Sequence, residues 1–330
     1  MNIAIVYSLP SRRALASRFA AADEDTKVSA VVIGKELISK GIDVTLIPVS
    51  EDSINDITHI RADCIFNLIE WSGLDTPFAI QAFQALEHLH IPLTGPSASA
   101  FESVANKVDM KIQLRNAGLL TPNWQLFESG NEYVDPVLAY PVIVKPLYEH
   151  CSIGLTYEAI VDDPKNLLSV VMYQLAQYNQ PVFAEEFIIG REFQVTVLDR
   201  PDGLAVLPPA EILFGEKGTR AFLTYASRWI VNHPEYKTSH VALAKLTPAL
   251  LNNLQKVSSN AFHILDFADY SRLDIRTRGE EVYILEANPN PGLEDDPAYG
   301  MSVSFHAAGM TFADFLWEIV TSCLGRHGKV

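Results

Sequence analysis

Cysteine is scarce in this sequence and forms no close pattern. The 330 residues contain three cysteines, Cys64, Cys151 and Cys323, which lie far apart along the chain. An odd number without close spacing excludes a disulfide framework and provides no paired thiolates for a zinc site. We therefore expect a reducing compartment, the cytoplasm.

Basic residues are outnumbered by acidic residues. Lys and Arg total 25 against 40 Asp and Glu, which gives a formal net charge of -15 at pH 7. This balance argues against general binding to nucleic acid or to an anionic membrane, since both attract clustered cationic side chains. An anionic ligand would need a local basic site.

Long apolar runs and a dinucleotide-binding turn are also missing. No stretch approaches the length of a membrane span. The opening MNIAIVYSLPSRR has neither a basic region before its apolar run nor a small-residue cleavage site, so it predicts a first β-strand and not a signal peptide. The strand–helix–strand pattern that follows contains no Gly-x-Gly-x-x-Gly turn, so a nicotinamide or flavin dinucleotide has no support.

The length and the order of the predicted elements favour two or three packed units. Strands are predicted at 3–7, 42–49, 62–69 and 155–161, and helices at 25–41, 76–90, 99–116 and 311–323. Beyond Gly190 the pattern is mostly strand hairpins, as the turn residues indicate. The fold class is therefore α/β at the start, followed by α+β regions.

Carboxylate and amide side chains are concentrated in one predicted hairpin. Glu286 and Asn288 lie two residues apart at the end of the run EVYILEAN, so they share one face of a strand. A turn near Gly279 places Asp274 across the hairpin from Glu286. Three oxygen ligands without His or Cys favour Mg²⁺. A strand that simply ends in a polar loop is the alternative.

Two cationic side chains are candidates for binding anions. Arg272 shares a strand face with Asp274 and is suited to stabilise a developing anion, with a surface ion pair as the alternative. Lys145 ends the buried strand PVIVK, where a charge is unfavourable unless it meets an anion. In the loop that follows, the small residues Cys151, Ser152 and Gly154 let backbone N–H groups approach a phosphate. A structural turn is the alternative for this loop.

The stretch FAEEFIIGRE carries three carboxylates, Glu185, Glu186 and Glu192. Strand alternation puts Glu185 and Phe187 on one face. An adenine site commonly combines an apolar wall with backbone and carboxylate partners. A solvated acidic strand is the alternative.

Five ordered motifs resemble the ATP-grasp superfamily, in particular the D-alanine–D-alanine ligases and their relatives. They are LTGPSASAFESVANKVDMK, YPVIVKP with SIG, EEFIIGRE, SRLDIR and LEANPNPGL, and they extend over nearly the whole chain. The resemblance implies an ATP-grasp fold. It implies an N-terminal parallel α/β subdomain at 1–98, a central lid subdomain at 99–188, and a C-terminal subdomain at 189–330 with the metal and catalytic residues. The last two would clasp ATP.

The resemblance also implies roles for individual residues. The implied ATP contacts are Lys107 and Lys145 at the phosphates, Ser152 and Gly154 in the lid loop, Glu185 and the backbone of Glu186, Phe187 and Ile188 at the adenine, and Glu192 at the ribose. The implied ligands of two Mg²⁺, for which Mn²⁺ can substitute, are Asp274, Glu286 and Asn288. The implied catalytic groups are Arg272 and the Gly292 N–H as an oxyanion hole, Ser152 in the lid, and Arg228 where the family has a lysine that reaches the phosphates.

Other stretches depart from the family pattern. EDTKVSA, which begins at Glu24, only loosely matches the motif that holds the amino group of the first D-alanine, and NLIEWSGLDTPF replaces a His-Gly…Glu-Asp-Gly motif. His150 and Cys151 stand in the lid where the family has Gly and Ser, and Trp229 stands where it has Tyr. After Gly292, LEDDPAYGMS replaces the small residues that bind the carboxylate of the second D-alanine. Acidic residues repel a carboxylate, so we expect a cationic amine-side substrate or a different mode of binding.

The resemblance implies a carboxylate–amine ligase that acts through an acyl phosphate on a small-molecule carboxylate and an amine. Its relatives are commonly homodimers. The alternatives are a ligase of mycosporine type that modifies a specialised-metabolite scaffold, an L-amino-acid dipeptide ligase, a phosphotransferase on the same fold, and a nucleotide-binding regulatory protein without catalysis. The metal-ligand positions, Arg272 and Lys145 argue against the last of these. Cys151 is interpreted as a lid residue and not as a thiolate nucleophile.

Overall fold

The computed structural model describes residues 1–17, 25–236 and 238–329. Their strands form three sheets, and each sheet comes from a continuous part of the chain. Glu24, in the stretch predicted to match a substrate-binding motif, lies outside the described residues. Within them, no helix has the length and apolar character that crossing a membrane requires. The expected subdomain boundaries at 98/99 and 188/189 fall between the sheets and remain a prediction.

The first sheet is parallel, with its central strand buried. The strands are β1 (Asn2–Ser8), β2 (Asp43–Val49) and β3 (Cys64–Leu68), and the helices are α1 (Arg12–Leu15), α2 (Asp25–Ser39) and α3 (Thr76–Glu87). β1 lies between the other two strands, and its apolar residues are covered on both faces, as is usual for parallel sheets. Gly41, predicted to end α2, has a φ of +80°, which glycine adopts without strain.

The second sheet is antiparallel and has the order β4-β7-β5-β6. The elements are α4 (Ala98–Ala105), α5 (Lys107–Asn116), β4 (Trp124–Phe127), β5 (Val142–Pro146), β6 (Ile160–Val161), α6 (Leu167–Tyr178) and β7 (Val182–Glu186). The single helical stretch predicted at 99–116 is two helices. The Asn106 side chain accepts hydrogen bonds from the N–H groups of Val108 and Asp109 and begins a new helix there. The strand predicted at 155–161 is short because a 3₁₀ turn, Tyr157–Ala159, precedes it.

The third sheet is also antiparallel and has the order β11-β10-β8-β12-β13, with β9 paired to β8. Its strands are β8 (Arg191–Leu198), β9 (Ala205–Val206), β10 (Ala210–Phe214), β11 (Ser239–Leu243), β12 (Tyr270–Arg278) and β13 (Glu281–Asn288). The helices are α7 (Tyr225–Trp229), α8 (Pro248–Ile264), α9 (Gly300–Ala307) and α10 (Phe312–Arg326). α10 matches the predicted final helix. Helix α8 was not among the predicted helices, although Thr247 caps its first turn by accepting a hydrogen bond from the Leu250 N–H.

The first sheet and the last helices share one hydrophobic core. Ile5 of β1 and Phe66 of β3 are buried in the same cluster as Phe315 and Ile319 of α10. A cavity lined by many charged side chains lies where the loop after β3 approaches the second and third sheets.

Candidate active site

The cavity brings together almost all residues predicted to form the site. Its lining includes Lys107, Lys145, Ser152, Glu185, Glu186, Phe187, Ile188, Glu192, Arg228, Arg272, Asp274, Glu286, Asn288 and Gly292. These residues come from α5, from the second sheet and the loops after its strands, from α7, and from the third sheet and the segment after β13. Gly154 is the exception, because it is part of the loop but not of the lining.

The predicted pairing across the β12–β13 hairpin is present. Asp274 lies opposite Glu286, and Arg272 lies opposite Asn288. The register shifts directly after Asp274, and such bulges redirect side chains near functional sites. The Arg272 guanidinium donates to Asp274 from Nε at 2.8 Å and from Nη2 at 3.0 Å, and Asn288 Nδ2 lies 3.4 Å from the same carboxylate. Burial disfavours the charge of Arg272, but Asp274 outweighs it and raises the pKa of the guanidinium.

Glu286 lies beside the side-chain nitrogens of His150 and Lys107. His150 Nδ1 lies 2.7 Å from its Oε1, and Lys107 Nζ lies 3.8 Å from the same atom. Burial alone would raise the pKa of Glu286, but Lys107 and His150 outweigh it and hold the pKa well below its usual value. Glu286 is therefore ionised at neutral pH.

The donor atoms at this corner fit Mg²⁺. They are two carboxylates and one amide oxygen, which suits a hard cation that completes its shell with phosphate oxygens and water. In the described ranges, no group of three or more His, Cys, Asp and Glu side chains is arranged to hold a metal. A cation here would therefore rely on Asp274, Glu286 and Asn288 together with oxygens of a bound substrate.

A buried ion network lies behind the cavity. Glu185 is 1% exposed and receives Lys145 Nζ at Oε1 and Lys111 Nζ at Oε2, both at 2.5 Å. Lys111 is completely buried and also donates to Thr121 Oγ1 at 2.7 Å. Burial would raise the pKa of Glu185, but the two lysines outweigh it and lower the pKa. Lys111 was not among the predicted site residues, although it lies four residues after Lys107 and so on the same face of α5.

The wall predicted to bind adenine and ribose contains a second residue that was missed. Phe187 and Ile188 are buried at the cavity wall. Arg276 of β12 stacks over the Phe187 ring, with 4.5 Å between Cζ and the ring centroid. It also donates from Nε to Glu192 Oε2 at 2.7 Å. Strand alternation from Asp274 could have indicated this position, because residues two apart share a face.

The loop after β5 covers the cavity. Cys151 and Ser152 have positive φ angles of 55° and 61°. Trp229 Nε1 donates to the Cys151 carbonyl oxygen at 3.0 Å, which joins this loop to α7. Gly154 also has a positive φ, +85°, and a Cβ there would lie 2.7 Å from the Pro146 ring. Its contribution is to turn the loop.

Cys151 has the properties expected of a lid residue. Burial raises the pKa of its thiol to about 12, in spite of the neighbouring Arg228. A thiol with this pKa is protonated at neutral pH and is a poor nucleophile.

Acidic and aromatic side chains also line the cavity. Glu294 and Tyr299 come from the segment after Gly292, and Glu70 and Trp71 come from the loop after β3. Farther out, Asp295 Oδ1 lies 2.7 Å from His306 Nε2. Arg228, beside Trp229, is the cation that lines the cavity from α7.

A parallel first unit followed by two antiparallel α+β units with a polar cavity between them defines the ATP-grasp class of ligases. Residues 113–321 match the family model described as D-ala D-ala ligase C-terminus. The chain therefore belongs to the D-alanine–D-alanine ligase family and is an ATP-dependent ligase that forms a C–N bond. The predicted fold, family and enzyme class are confirmed.

Relatives and solved structures agree with this assignment. An uncharacterised protein of Sinorhizobium fredii is 31% identical over 80% of this chain and 75% of its own length. D-alanine–D-alanine ligase B of Chromobacterium violaceum is 27% identical over 86% of this chain and 88% of its own length. D-alanine–D-alanine ligase from Bacillus anthracis has a TM-score of 0.75 and 20% identity over 100% of this chain and 99% of that one. VanG D-Ala:D-Ser ligase from Enterococcus faecalis has a TM-score of 0.74 and 18% identity over 98% and 99%. At these identities the two structures support the fold alone.

Proposed function

We propose that this ligase joins a small-molecule carboxylate to an amine through an acyl phosphate, with ADP and phosphate as the other products. The observation that carries the proposal is the hairpin corner, where Asp274, Glu286 and Asn288 face the cavity beside Arg272. Phosphoryl transfer depends mainly on positioning and on stabilising charge. Oxygen ligands for a cation and a guanidinium for an anion lie together at this corner.

In this proposal, ATP binds along the cavity wall that the second sheet forms. Phe187 would offer an apolar surface to the adenine, and Lys107 and Lys145, which also line the cavity, would contact the phosphates. Asp274, Glu286 and Asn288 would hold two Mg²⁺, or Mn²⁺ in their place. The metal would supply charge compensation for the triphosphate.

The chain's own groups then support transfer of the γ-phosphoryl group to the substrate carboxylate and attack by the amine. Asp274 holds the Arg272 guanidinium through two hydrogen bonds, so this cation is oriented before the substrate arrives. Arg272 and the Gly292 N–H would stabilise the oxyanion of the tetrahedral intermediate. Ser152 and Arg228 would contact the phosphates from above, and the lid held by Trp229 would exclude water from the acyl phosphate.

The acidic residues of the cavity indicate which kind of amine substrate the enzyme would prefer. Glu294 follows Gly292 and lines the cavity together with Glu70, and these acidic residues would disfavour a free carboxylate on the amine substrate. We propose that the amine substrate carries an additional positive charge or lacks a carboxylate.

The proposal is tested by phosphate release from ATP and Mg²⁺ with D- and L-amino acids and diamines, singly and in pairs, followed by mass spectrometry. Release that needs a pair, with a product lighter than the two substrates by one water, is the expected result. Phosphorylation of one substrate without an amine would instead identify a phosphotransferase. Tight ATP binding without release across the panel would favour a scaffold substrate outside the panel or a regulatory nucleotide-binding protein.

Glu286→Gln tests the metal assignment. The change removes one charged oxygen ligand, and we expect turnover to fall by about three orders of magnitude or more with little loss of fold. Glu280→Gln is the matched control, because Glu280 is exposed in the turn of the same hairpin. Unchanged turnover of Glu286→Gln would refute the metal assignment.

A further inference from the structure

Arg276 is a buried cation at the end of the cavity where the ribose is proposed to bind. It is 2% exposed, and its donors are directed to groups of the protein. Nε donates to Glu192 Oε2 at 2.7 Å, Nη1 donates to the Ile188 carbonyl oxygen at 2.9 Å, and Nη2 donates to the Ala221 carbonyl oxygen. A guanidinium that is held in this way is not available to bind a phosphate directly.

These contacts join three segments of the cavity wall. Ile188 follows β7, Glu192 lies at the start of β8, and Ala221 lies in the loop before α7. The stacking of Arg276 on Phe187 adds the apolar wall to the same unit. The position of the Glu192 carboxylate therefore depends on Arg276.

The geometry leaves one oxygen of Glu192 for a ligand. Both Nε and Nη2 of Arg276 approach Oε2, at 2.7 Å each. Among the described residues, no hydrogen-bond donor is found for Oε1, and Glu192 lines the cavity. A carboxylate oxygen fixed at a cavity wall is a strong acceptor for a hydroxyl group.

We propose that Arg276 is a positioning residue that fixes Glu192 to accept a hydrogen bond from a ribose hydroxyl, and that it thereby sets the enzyme's selectivity for ribonucleotides over deoxyribonucleotides. The inference rests on the proposed function, because it takes ATP as the ligand of this wall. Arg276 acts through Glu192 and does not touch the hydroxyl itself.

The test compares the binding of ATP, 2′-deoxy-ATP and 3′-deoxy-ATP by calorimetry in the presence of Mg²⁺. The proteins are the wild type, Arg276→Met, Arg276→Lys and Glu192→Gln. Arg191→Met is the control, because Arg191 is also on the third sheet and is paired with a glutamate, Glu211, at 2.6 Å. A hydrogen bond to a charged acceptor predicts that the wild type binds ATP roughly tenfold or more tightly than at least one deoxy analogue.

The quantity compared is the dissociation constant of the deoxy analogue divided by that of ATP. Arg276→Met and Glu192→Gln are expected to reduce this ratio to within about twofold of unity. Arg276→Lys, which keeps the charge but loses the planar fork, is expected to lie between them and the wild type. Arg191→Met is expected to keep the wild-type ratio. Because the ratio compares two ligands on one protein, a general loss of affinity does not change it.

Two results would overturn the inference. If Arg276→Met weakens the binding of all three nucleotides equally and keeps the wild-type ratio, Arg276 has only a structural role. If Arg276→Met does not fold, the same outcome for Arg276→Lys decides the question. If the wild type binds ATP and both deoxy analogues equally, Glu192 is not a ribose ligand. Absence of ATP binding to the wild type would instead contradict the proposed function.

Discussion

Replacing Lys111 by Met tests the buried ion network behind the cavity. Methionine is unbranched and fills the space of the lysine stem, so the change mainly removes the charge. The side chain loses its contacts with Glu185 Oε2 at 2.5 Å and Thr121 Oγ1 at 2.7 Å. Glu185, which is 1% exposed, is then left with Lys145 as its cationic partner.

The expected loss of stability follows from this geometry. Removing one partner of a buried ion pair destabilises a protein by about 3–5 kcal/mol. Since Glu185 keeps one cation, we expect the lower end, about 3 kcal/mol. The double variant Lys111→Met/Glu185→Met removes the two fully buried charges and leaves Lys145, which is partly exposed, as the remaining cation. Its loss should therefore be smaller than the sum of the single losses by about 2 kcal/mol or more.

Urea unfolding monitored by circular dichroism measures these differences. Lys165→Met is the matched control, because Lys165 is an exposed lysine in the same part of the chain; we expect it to change the free energy of unfolding by no more than about 0.5 kcal/mol. The reasoning is refuted if Lys111→Met loses no more stability than Lys165→Met. It is also refuted if the two single losses simply add in the double variant.

Three further predictions concern single groups. Because the pKa of Cys151 is raised to about 12, its thiolate fraction at pH 8 is roughly 10⁻⁴. A thiol reagent should therefore label the native wild type no faster than Cys151→Ser. Faster labelling of the wild type would contradict the lid interpretation. The pKa of Glu185 is lowered in the folded protein, so the stabilisation from its charge is present above the unfolded pKa and is lost as pH falls through the folded pKa. The difference in urea-unfolding free energy between wild type and Glu185→Gln should therefore shrink on acidification. A difference that stays constant with pH would contradict this prediction. Gly154→Ala should lower the free energy of unfolding by about 2 kcal/mol. Gly118→Ala is the control, because Gly118 has a φ of +78° but nothing lies within 4 Å of the new Cβ, and it should lower this free energy clearly less. Equal losses in thermal unfolding would show that crowding at Gly154 contributes nothing.

The proposed metal-binding corner could be predicted because its pattern is local. The alternation of side chains and the turn at Gly279 were sufficient to place Asp274 opposite Glu286, and the register confirms this pairing. The shift after Asp274 was not predicted. A bulge adds one residue to a strand without a fixed sequence signal.

The supporting residues could not be predicted in the same way, because their partners are distant in the sequence. Arg276 and Glu192 are 84 residues apart, and only the pairing of β8 with β12 brings them together. Lys111 meets Glu185 across the boundary between α5 and the second sheet. Helix α8 is different, since its Thr247 cap and Pro248 were visible in the sequence and were not used.

The core shared by the first sheet and α10 has a consequence for synthesis on the ribosome. Strands β1 and β3 are made early, but the side chains of Phe315 and Ile319 that cover them belong to the last helix. Domains usually fold as units, with the N-terminal one first during synthesis. Helix α2 covers part of this apolar face early through Ile33 and Leu37, but the rest stays open until α10 has emerged. Completion of the first sheet and that of the cavity beside it are therefore late events in folding.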